Sequence, residues 1–286
     1  MPSSVHIFYT EQKIDTGSFR AFYLKADLKD RRLDCTTDTS YKRRLTPSQF
    51  YERNDKPLVV VNGTFFSFET NQNLNLVIRN GKLLSYNRQT LPGRGRDTFT
   101  YTHVFASAIG ITKKRKADIA WTYTDSIKQK VWASQTVVER IKDSVASEDR
   151  KEALNRIPGK KQKWKVNTAI GGGPVLLQRS EVQITNNQEA KFSGKAIEDK
   201  HPRTAMGYTK DQQLIILVVE GRNENAGGAR LDQLARIMKE LGCVEALNLD
   251  GGGSSCLLVN GKETIKPSDK EGQRPTPAVF IIKTLK

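Results

Sequence analysis

Histidine and cysteine are scarce in this chain, with three of each among 286 residues. Cys35, Cys243 and Cys256 are odd in number and have no metal-ligand spacing, so a Cys/His zinc site is not expected and buried thiols are. The three histidines form no short paired motif, which argues against a two-metal phosphodiesterase centre. Nothing in the sequence calls for a cofactor, although a single Ca²⁺ held by oxygens stays open. There is no run of 18 apolar residues, so no span of a membrane is expected. The opening MPSSVHIFYT has no basic start followed by an apolar stretch, and so shows no signal-peptide pattern; the chain is read as cytoplasmic or as trimmed of its leader. Internal repeats and low-complexity linkers are also missing.

Basic residues, by contrast, abound. Lys and Arg number 47 against 31 Asp and Glu, a net charge of +16 that suits anionic partners. Residues 111–165 hold 15 Lys/Arg and 7 Asp/Glu, and so supply half of that excess. The segment includes Lys113-Lys114-Arg115-Lys116 and Lys160-Lys161. A solvated hairpin tip and a basic loop account for it most simply. Nucleic-acid binding needs aromatics interleaved with charge, and Trp121, Tyr123, Trp132 and Trp164 keep that reading open as a secondary one.

The pattern along the chain is of short strands with turn punctuation, giving an α+β class with a mostly antiparallel or mixed β-sheet core and few helices. Val5–Thr10 and 19–28 read as strands. Hairpins are expected at 74–84 across Asn80-Gly81, at 104–122 across the Lys/Arg tip, at 205–219, and at 255–265 across Asn260-Gly261. Residues 278–283 read as a terminal strand. Helical periodicity is clearest over 229–241, where Leu231, Leu234, Ala235, Met238 and Leu241 share a face and Gly242 follows as a cap. Helices are also expected at 147–157, with Ser147 as N-cap, and at 46–53. Residues 1–57 are expected as N-terminal strands and a short helix packed on a core formed by 58–286, with 111–165 as a basic elaboration.

Polar and glycine-rich clusters interrupt the apolar strands. They are Asn62-Gly63-Thr64-Phe65-Phe66, Gly171-Gly172-Gly173-Pro174, His201-Pro202-Arg203-Thr204, Glu220-Gly221-Arg222 and Asn248-Leu249-Asp250-Gly251-Gly252-Gly253-Ser254-Ser255. Each alone has a plain alternative. Glycine triplets make tight turns, Asp250 can be a turn residue, and Arg203 and Arg222 can pair structurally with Glu220 and Asp250. Together they place ionisable groups at strand ends beside glycines, where a ligand can approach the backbone and successive N–H groups can cradle an anion.

In this order and spacing the clusters resemble the phosphodiester glycosidase family. The resemblance runs from about Leu58 to Lys283 and is strongest over 167–173, 201–222 and 228–255. It departs at Glu220, where the family usually has Asp, and at Thr64, where glycine is common; residues 1–57 and 111–165 carry no counterpart. It implies a hydrolase that cleaves the glycosidic bond of a sugar-1-phosphodiester, releasing free sugar and a phosphate monoester. It also favours a secreted, periplasmic or cell-surface protein.

Such a substrate alters the usual glycosidase requirement for two carboxyl groups. Its leaving group is a phosphate monoester with a second pKa of about 6, so guanidinium and backbone N–H groups can replace a strong acid. Asp250 is then the carboxylate nearest the anomeric carbon, Glu220 the second acid or base, and His201 an aid to proton transfer. Arg203, Arg222, Thr204, Ser254 and the N–H groups of Gly172, Gly173, Gly251, Gly252 and Gly253 would hold substrate, with Asn62 and Asn248 on sugar hydroxyls. The two carboxylates and two guanidinium groups should share one pocket. The alternative is a non-catalytic binding module for sugar-phosphate polymers or other polyanions. In either case the partner is a phosphate-bearing small molecule or glycan.

Overall fold

The computed structural model describes every residue except Lys13, Thr16, Lys160 and Lys286, and the backbone only of Lys195. The Lys160 member of the basic pair Lys160-Lys161 thus lies outside the described residues. Three antiparallel sheets and a small three-stranded one make up the architecture. The first sheet orders its strands Val5–Thr10, Ala21–Asp27, Gln213–Val219, Arg203–Thr209, Cys243–Asn248, Val175–Gln178 and Glu181–Val182. The second is a seven-stranded sheet with Ala106–Ile111, Ala117–Asp125 and Thr168–Gly171 near its centre. The third has five strands and is built around Val59–Asn62, Ala278–Thr284 and Leu33–Thr39.

Strand periodicity explains how these sheets stack. Along Gln213–Val219, Leu214, Ile216 and Val218 enter the central core, while Ile215, Leu217 and Val219 enter a second cluster on the opposite face. A strand buried on both faces must be apolar throughout, as this one is. The central core draws Val59, Val61, Phe280 and Ile282 from the third sheet and Ile109, Ile119 and Trp121 from the second. The outer face of the first sheet is covered by the helix Leu231–Glu240, whose Leu231, Leu234, Ala235 and Met238 are buried against it. The outer face of the third is covered by Phe50 from the helix Pro47–Arg53.

The turns follow their sequences. Asn80 and Gly81, and Asn260 and Gly261, all have positive φ, as type I′ hairpins require. Thr46 caps the helix Pro47–Arg53 through a capping box with Gln49. In the helix Arg150–Asn155 the cap is Asp149, whose side chain accepts from Lys151 N and Glu152 N. This corrects the expectation of Ser147: the helix begins later, and a carboxylate answers the helix dipole better than a hydroxyl. A short helix at Asn186–Glu189 was not expected. Residues 1–57 are hydrogen-bonded into the sheets, since Ala21–Asp27 pairs with Gln213–Val219 and Leu33–Thr39 with Ala278–Thr284. The tryptophans of the basic segment serve packing. Trp121 and Tyr123 are buried, Trp132 packs on the central core, and Trp164 lies against Val166 and donates Nε1 to Asp118.

Leu234 is fully buried between helix and sheet, so Leu234→Ala should cost about 2–5 kcal/mol, read from denaturant unfolding. A loss below 1 kcal/mol would mean that the helix is not docked as described.

Candidate active site

The motif loops meet at one end of the first sheet, and backbone hydrogen bonds fix them there. Leu249 N donates to Thr204 O at 2.8 Å, Asp250 N to Gly63 O at 3.0 Å, Gly252 N to Pro202 O at 2.8 Å and Gly173 N to Asn248 O at 2.7 Å. Four segments distant in sequence are thereby held by one another. Asn62, at the end of Val59–Asn62, is fully buried at the junction. Its Nδ2 donates to Asp250 O at 2.6 Å, while its Oδ1 accepts from Thr204 Oγ1 at 2.9 Å and Cys256 N at 3.0 Å. Asn248 is equally enclosed, with Nδ2 donating to Gly173 O at 3.0 Å and Leu249 O at 2.7 Å. The side-chain polar atoms of Asn62 and Thr204 are taken up by the loops themselves, whereas Asn248 Oδ1 has no hydrogen-bond partner among the described residues. These groups sit beneath the surface, and their hydrogen bonds position the loops.

Asp250 stands where the loops cross. Gly251 N donates to its Oδ1 at 3.0 Å, whereas Oδ2 is enclosed and has no hydrogen-bond partner among the described residues. Burial raises the carboxyl pKa to about 6, opposed by the Ser254 hydroxyl, the Gly251 N–H and the Arg274 guanidinium. Gly252 adopts φ +59°, and an added Cβ would lie 3.2 Å from Arg222 Nη2, so glycine admits the guanidinium over the backbone. A Cβ on Gly251 would meet Pro202 O at 2.9 Å, and one on Gly253 would collide with Arg274 and Asp269. The triplet is thus compressed between three neighbours, beyond what a turn alone requires.

Arg222 also donates to His201 Nδ1, 3.2 Å away. Because guanidinium can only donate, Nδ1 accepts and the proton of the neutral ring is on Nε2. Burial, then Arg203 and Arg222, lowers the His201 pKa and keeps the ring neutral. Arg203 is buried, donates Nε to Ala229 O at 3.0 Å and Nη2 to Asp199 O at 3.3 Å, and lies 5.3 Å from the Phe192 ring centre. Burial and the like charge of Arg222 lower its pKa to about 10, which leaves it charged at neutral pH.

Pairing of these arginines with the two carboxylates, the main structural rival to a phosphate role, does not occur. Glu220 takes Arg20 instead, at 3.6 Å, and accepts from Asn223 Nδ2 at 3.0 Å and Lys266 N at 3.1 Å. It is buried, and it holds the turn that carries Arg222. A cavity of about 200 Å³ opens beside Gly172 and Gly173, but Phe65, Asn75, Arg88, Glu189 and Lys191 line it, without Glu220 or Asp250. There Glu189 accepts from Ser107, Val175 N and Thr185, Asn75 Nδ2 donates to Gly172 O at 3.2 Å, and burial lowers the Lys191 pKa. Among the described residues no three His, Cys, Asp or Glu side chains gather as a metal site would need.

A family model for phosphodiester glycosidases matches residues 55–283. The chain belongs to the phosphodiester glycosidase family. Among curated members, the mouse N-acetylglucosamine-1-phosphodiester alpha-N-acetylglucosaminidase is 32% identical over 101 residues, covering 35% of this chain and 19% of that protein. A prophage-derived protein of Bacillus subtilis, YomE, is 40% identical over 70 residues, covering 24% of this chain and 11% of its own. The matched stretches thus span a fifth or less of those relatives. In fold, the chain resembles the zebrafish N-acetylglucosamine-1-phosphodiester alpha-N-acetylglucosaminidase catalytic domain auto-inhibited by its pro-peptide. The TM-score is 0.66 at 21% identity, covering 98% of this chain and 82% of that one.

Within this glycosidase fold, several neighbours of the motif loops escaped sequence reasoning. Arg274, bound to Asp269 at 2.7 and 2.8 Å, touches Gly253 and acts on Asp250 from a polar loop without any motif. Lys191 and Phe192 come from a similarly polar stretch, and Arg20 from the segment before the first motif.

Asp250 has a raised pKa, so the folded state prefers its protonated form. This contribution to stability is full below the unfolded value near 3.8, is lost as pH rises through about 6, and is absent at pH 8. The difference corresponds to about 3 kcal/mol. Asp250→Asn removes the charge and should melt several degrees above wild type at pH 8 but close to it at pH 4, by calorimetry. Equal melting at both pH values would contradict the burial assigned to this carboxylate.

Proposed function

We propose that the chain hydrolyses sugar-1-phosphodiesters at the anomeric carbon. The observation that supports this most is the pairing of opposites at the Asp250 loop. Arg203 and Arg222 lie close enough to depress the Arg203 pKa, no carboxylate among the described residues pairs with either, and a half-buried carboxylate with one enclosed, unpartnered oxygen stands across Gly252. Unpaired cations so placed favour an anion, and a carboxylate in low dielectric favours a developing positive charge. A glycosyl phosphate supplies both, with phosphate on one side of the breaking bond and an oxocarbenium-like sugar on the other.

In this reading Arg222, aided by Arg203, receives the phosphate oxygens and gains hold as the C–O bond breaks. The phosphate monoester leaves with little need of a proton. His201, neutral and carrying its proton on Nε2, can donate to a bound oxygen. Asp250 must be ionised to stabilise the sugar cation or to attack it, so the rate should fall as pH drops below about 6. Glu220 has its oxygens committed to Arg20, Asn223 and Lys266, so we assign it to holding the Arg222 turn. The name of the mouse relative makes an N-acetylglucosamine phosphodiester a first substrate to offer.

The test is release of free sugar from N-acetylglucosamine-1-phosphodiesters and related glycosyl phosphodiesters, with product analysis. Asp250→Asn should lower turnover by roughly a thousandfold while substrate still binds. A stable Asp250→Asn protein with near wild-type turnover would remove Asp250 from the reaction. The absence of sugar release from any glycosyl phosphodiester, with binding intact, would favour the alternative of a binding module.

Arg222 is exposed and forms no ion pair among the described residues, so its replacement should spare the fold. Arg222→Ala should cost about 2–4 kcal/mol in kcat/KM on phosphodiester substrates. Unchanged kcat/KM would separate this guanidinium from phosphate.

A further inference from the structure

At the other end of the first sheet, the hairpin tip between Ala106–Ile111 and Ala117–Asp125 folds toward the turn after Ala21–Asp27. A cavity of about 560 Å³ opens between them, lined by Lys29, Arg31, Lys113, Lys114, Arg115 and Lys116, with Gln212 at its base. The walls are held in place. Arg115 donates its guanidinium to Leu28 O and to Asp30 O, the latter at 2.8 Å, and so clamps the tip to the turn. Gln212 accepts from Ala117 N at 2.8 Å and, through its backbone oxygen, from Leu28 N at 3.1 Å.

Five further cations share this groove, and their summed positive potential attracts an anion. The nearest turn carboxylate does not serve, because Asp30 is already taken by Arg32 at 2.9 Å and by Ser4. Lys29, Arg31, Lys113, Lys114 and Lys116 are exposed, and none forms an ion pair within 4 Å among the described residues. We infer that this groove binds linear phosphodiester polymers of the poly(alditol phosphate) type, at a site separate from Asp250.

The lining discriminates between polyanions. Single-stranded nucleic acid is held by cations together with aromatic rings on which bases stack. No ring lines this groove, since Trp121 and Tyr123 face the core and Trp164 is turned to Asp118. A flat anionic membrane would not fill a concave slot. A chain of charge without bases matches what the walls offer. The strand Gln213–Val219 joins Gln212 at the groove to Glu220 at the motif loops, a span of ~26 Å at ~3.3 Å per residue. A polymer held at one end would be concentrated at the other. That advantage rests on the hydrolytic reading; the binding itself does not.

The experiment measures binding of labelled poly(glycerol phosphate) to the full chain over a salt series, for wild type and for Lys29→Gln/Arg31→Gln/Lys113→Gln/Lys114→Gln. Arg115 is left in place because it holds the tip. Wild type should bind, with log Kd linear in log salt, and the variant should lose about three from the magnitude of that slope. Affinity at low salt should fall at least tenfold, while melting temperature and hydrolysis of a small sugar-1-phosphodiester stay unchanged. Wild-type affinity in the variant, or no polymer binding by wild type, would overturn the inference. So would single-stranded DNA of equal phosphate count, or anionic vesicles, binding wild type more tightly than the polymer. Loss of small-substrate hydrolysis in wild type would bear on the proposed reaction alone and would leave the binding result intact.

Discussion

One buried amide holds the reacting end of the molecule together. Asn62 closes the strand Val59–Asn62, and through its two polar atoms it ties Asp250 O, Thr204 Oγ1 and Cys256 N to that strand. Those atoms come from the start of the strand Arg203–Thr209 and from both ends of the Asp250 loop, so the third sheet and the first are locked at the point where their loops meet. A hydrogen bond in this setting is worth only about 1 kcal/mol net, but leaving any of these groups unpaired would cost more. The geometry of Asp250 depends on this knot, because its backbone oxygen and nitrogen are both engaged before its carboxylate is placed.

The same region runs against ordinary stability. A carboxylate with one enclosed oxygen unpaired, two arginines without acids and a lysine with a burial-lowered pKa all raise the energy of the empty site. Two enclosed carboxylates elsewhere are paired. Asp38 meets Arg53 and Arg79, and Glu148 meets Arg156. The contrast locates function, since unsatisfied groups persist only where a ligand completes them or the surrounding structure compels them. Here the compulsion comes from the compressed glycines and from Asn62.

Much of this was legible before any coordinates. The strand Gln213–Val219, the face of the helix Leu231–Glu240 and the Asn-Gly hairpins announce themselves by period and turn chemistry. The motif glycines and Asp250 stood out through their place at strand ends. The strand Leu33–Thr39 did not, because it reads as Thr and Asp. Its polar atoms are satisfied across the structure, with Thr37 Oγ1 on Ile78 O and Asp38 on Arg79, contacts that no local pattern encodes. For the same reason Asn62 was legible as important, but its inward contacts were not. Sequence shows that an amide sits beside a glycine, and only packing shows that it points inward. Arg274, Lys191 and Arg20 reach the site from polar loops and strand ends whose spacing carries no signal.

The two ends of the first sheet thus carry two different uses of positive charge. At the motif end, arginines are partly buried, fixed by backbone carbonyls and His201, and set against a carboxylate, an arrangement that can distinguish a transition state from a ground state. At the groove end, lysines project into solvent without directional partners or aromatic rings, an arrangement that takes a chain of charge without bases. The apolar strand Gln213–Val219 between them carries no charge of its own, and its length exceeds the Debye length of about 8 Å over which the exposed charges at either end are screened through solvent at physiological salt. Coupling between the ends therefore has to pass through a ligand long enough to touch both, and a short glycosyl phosphodiester would meet only the first.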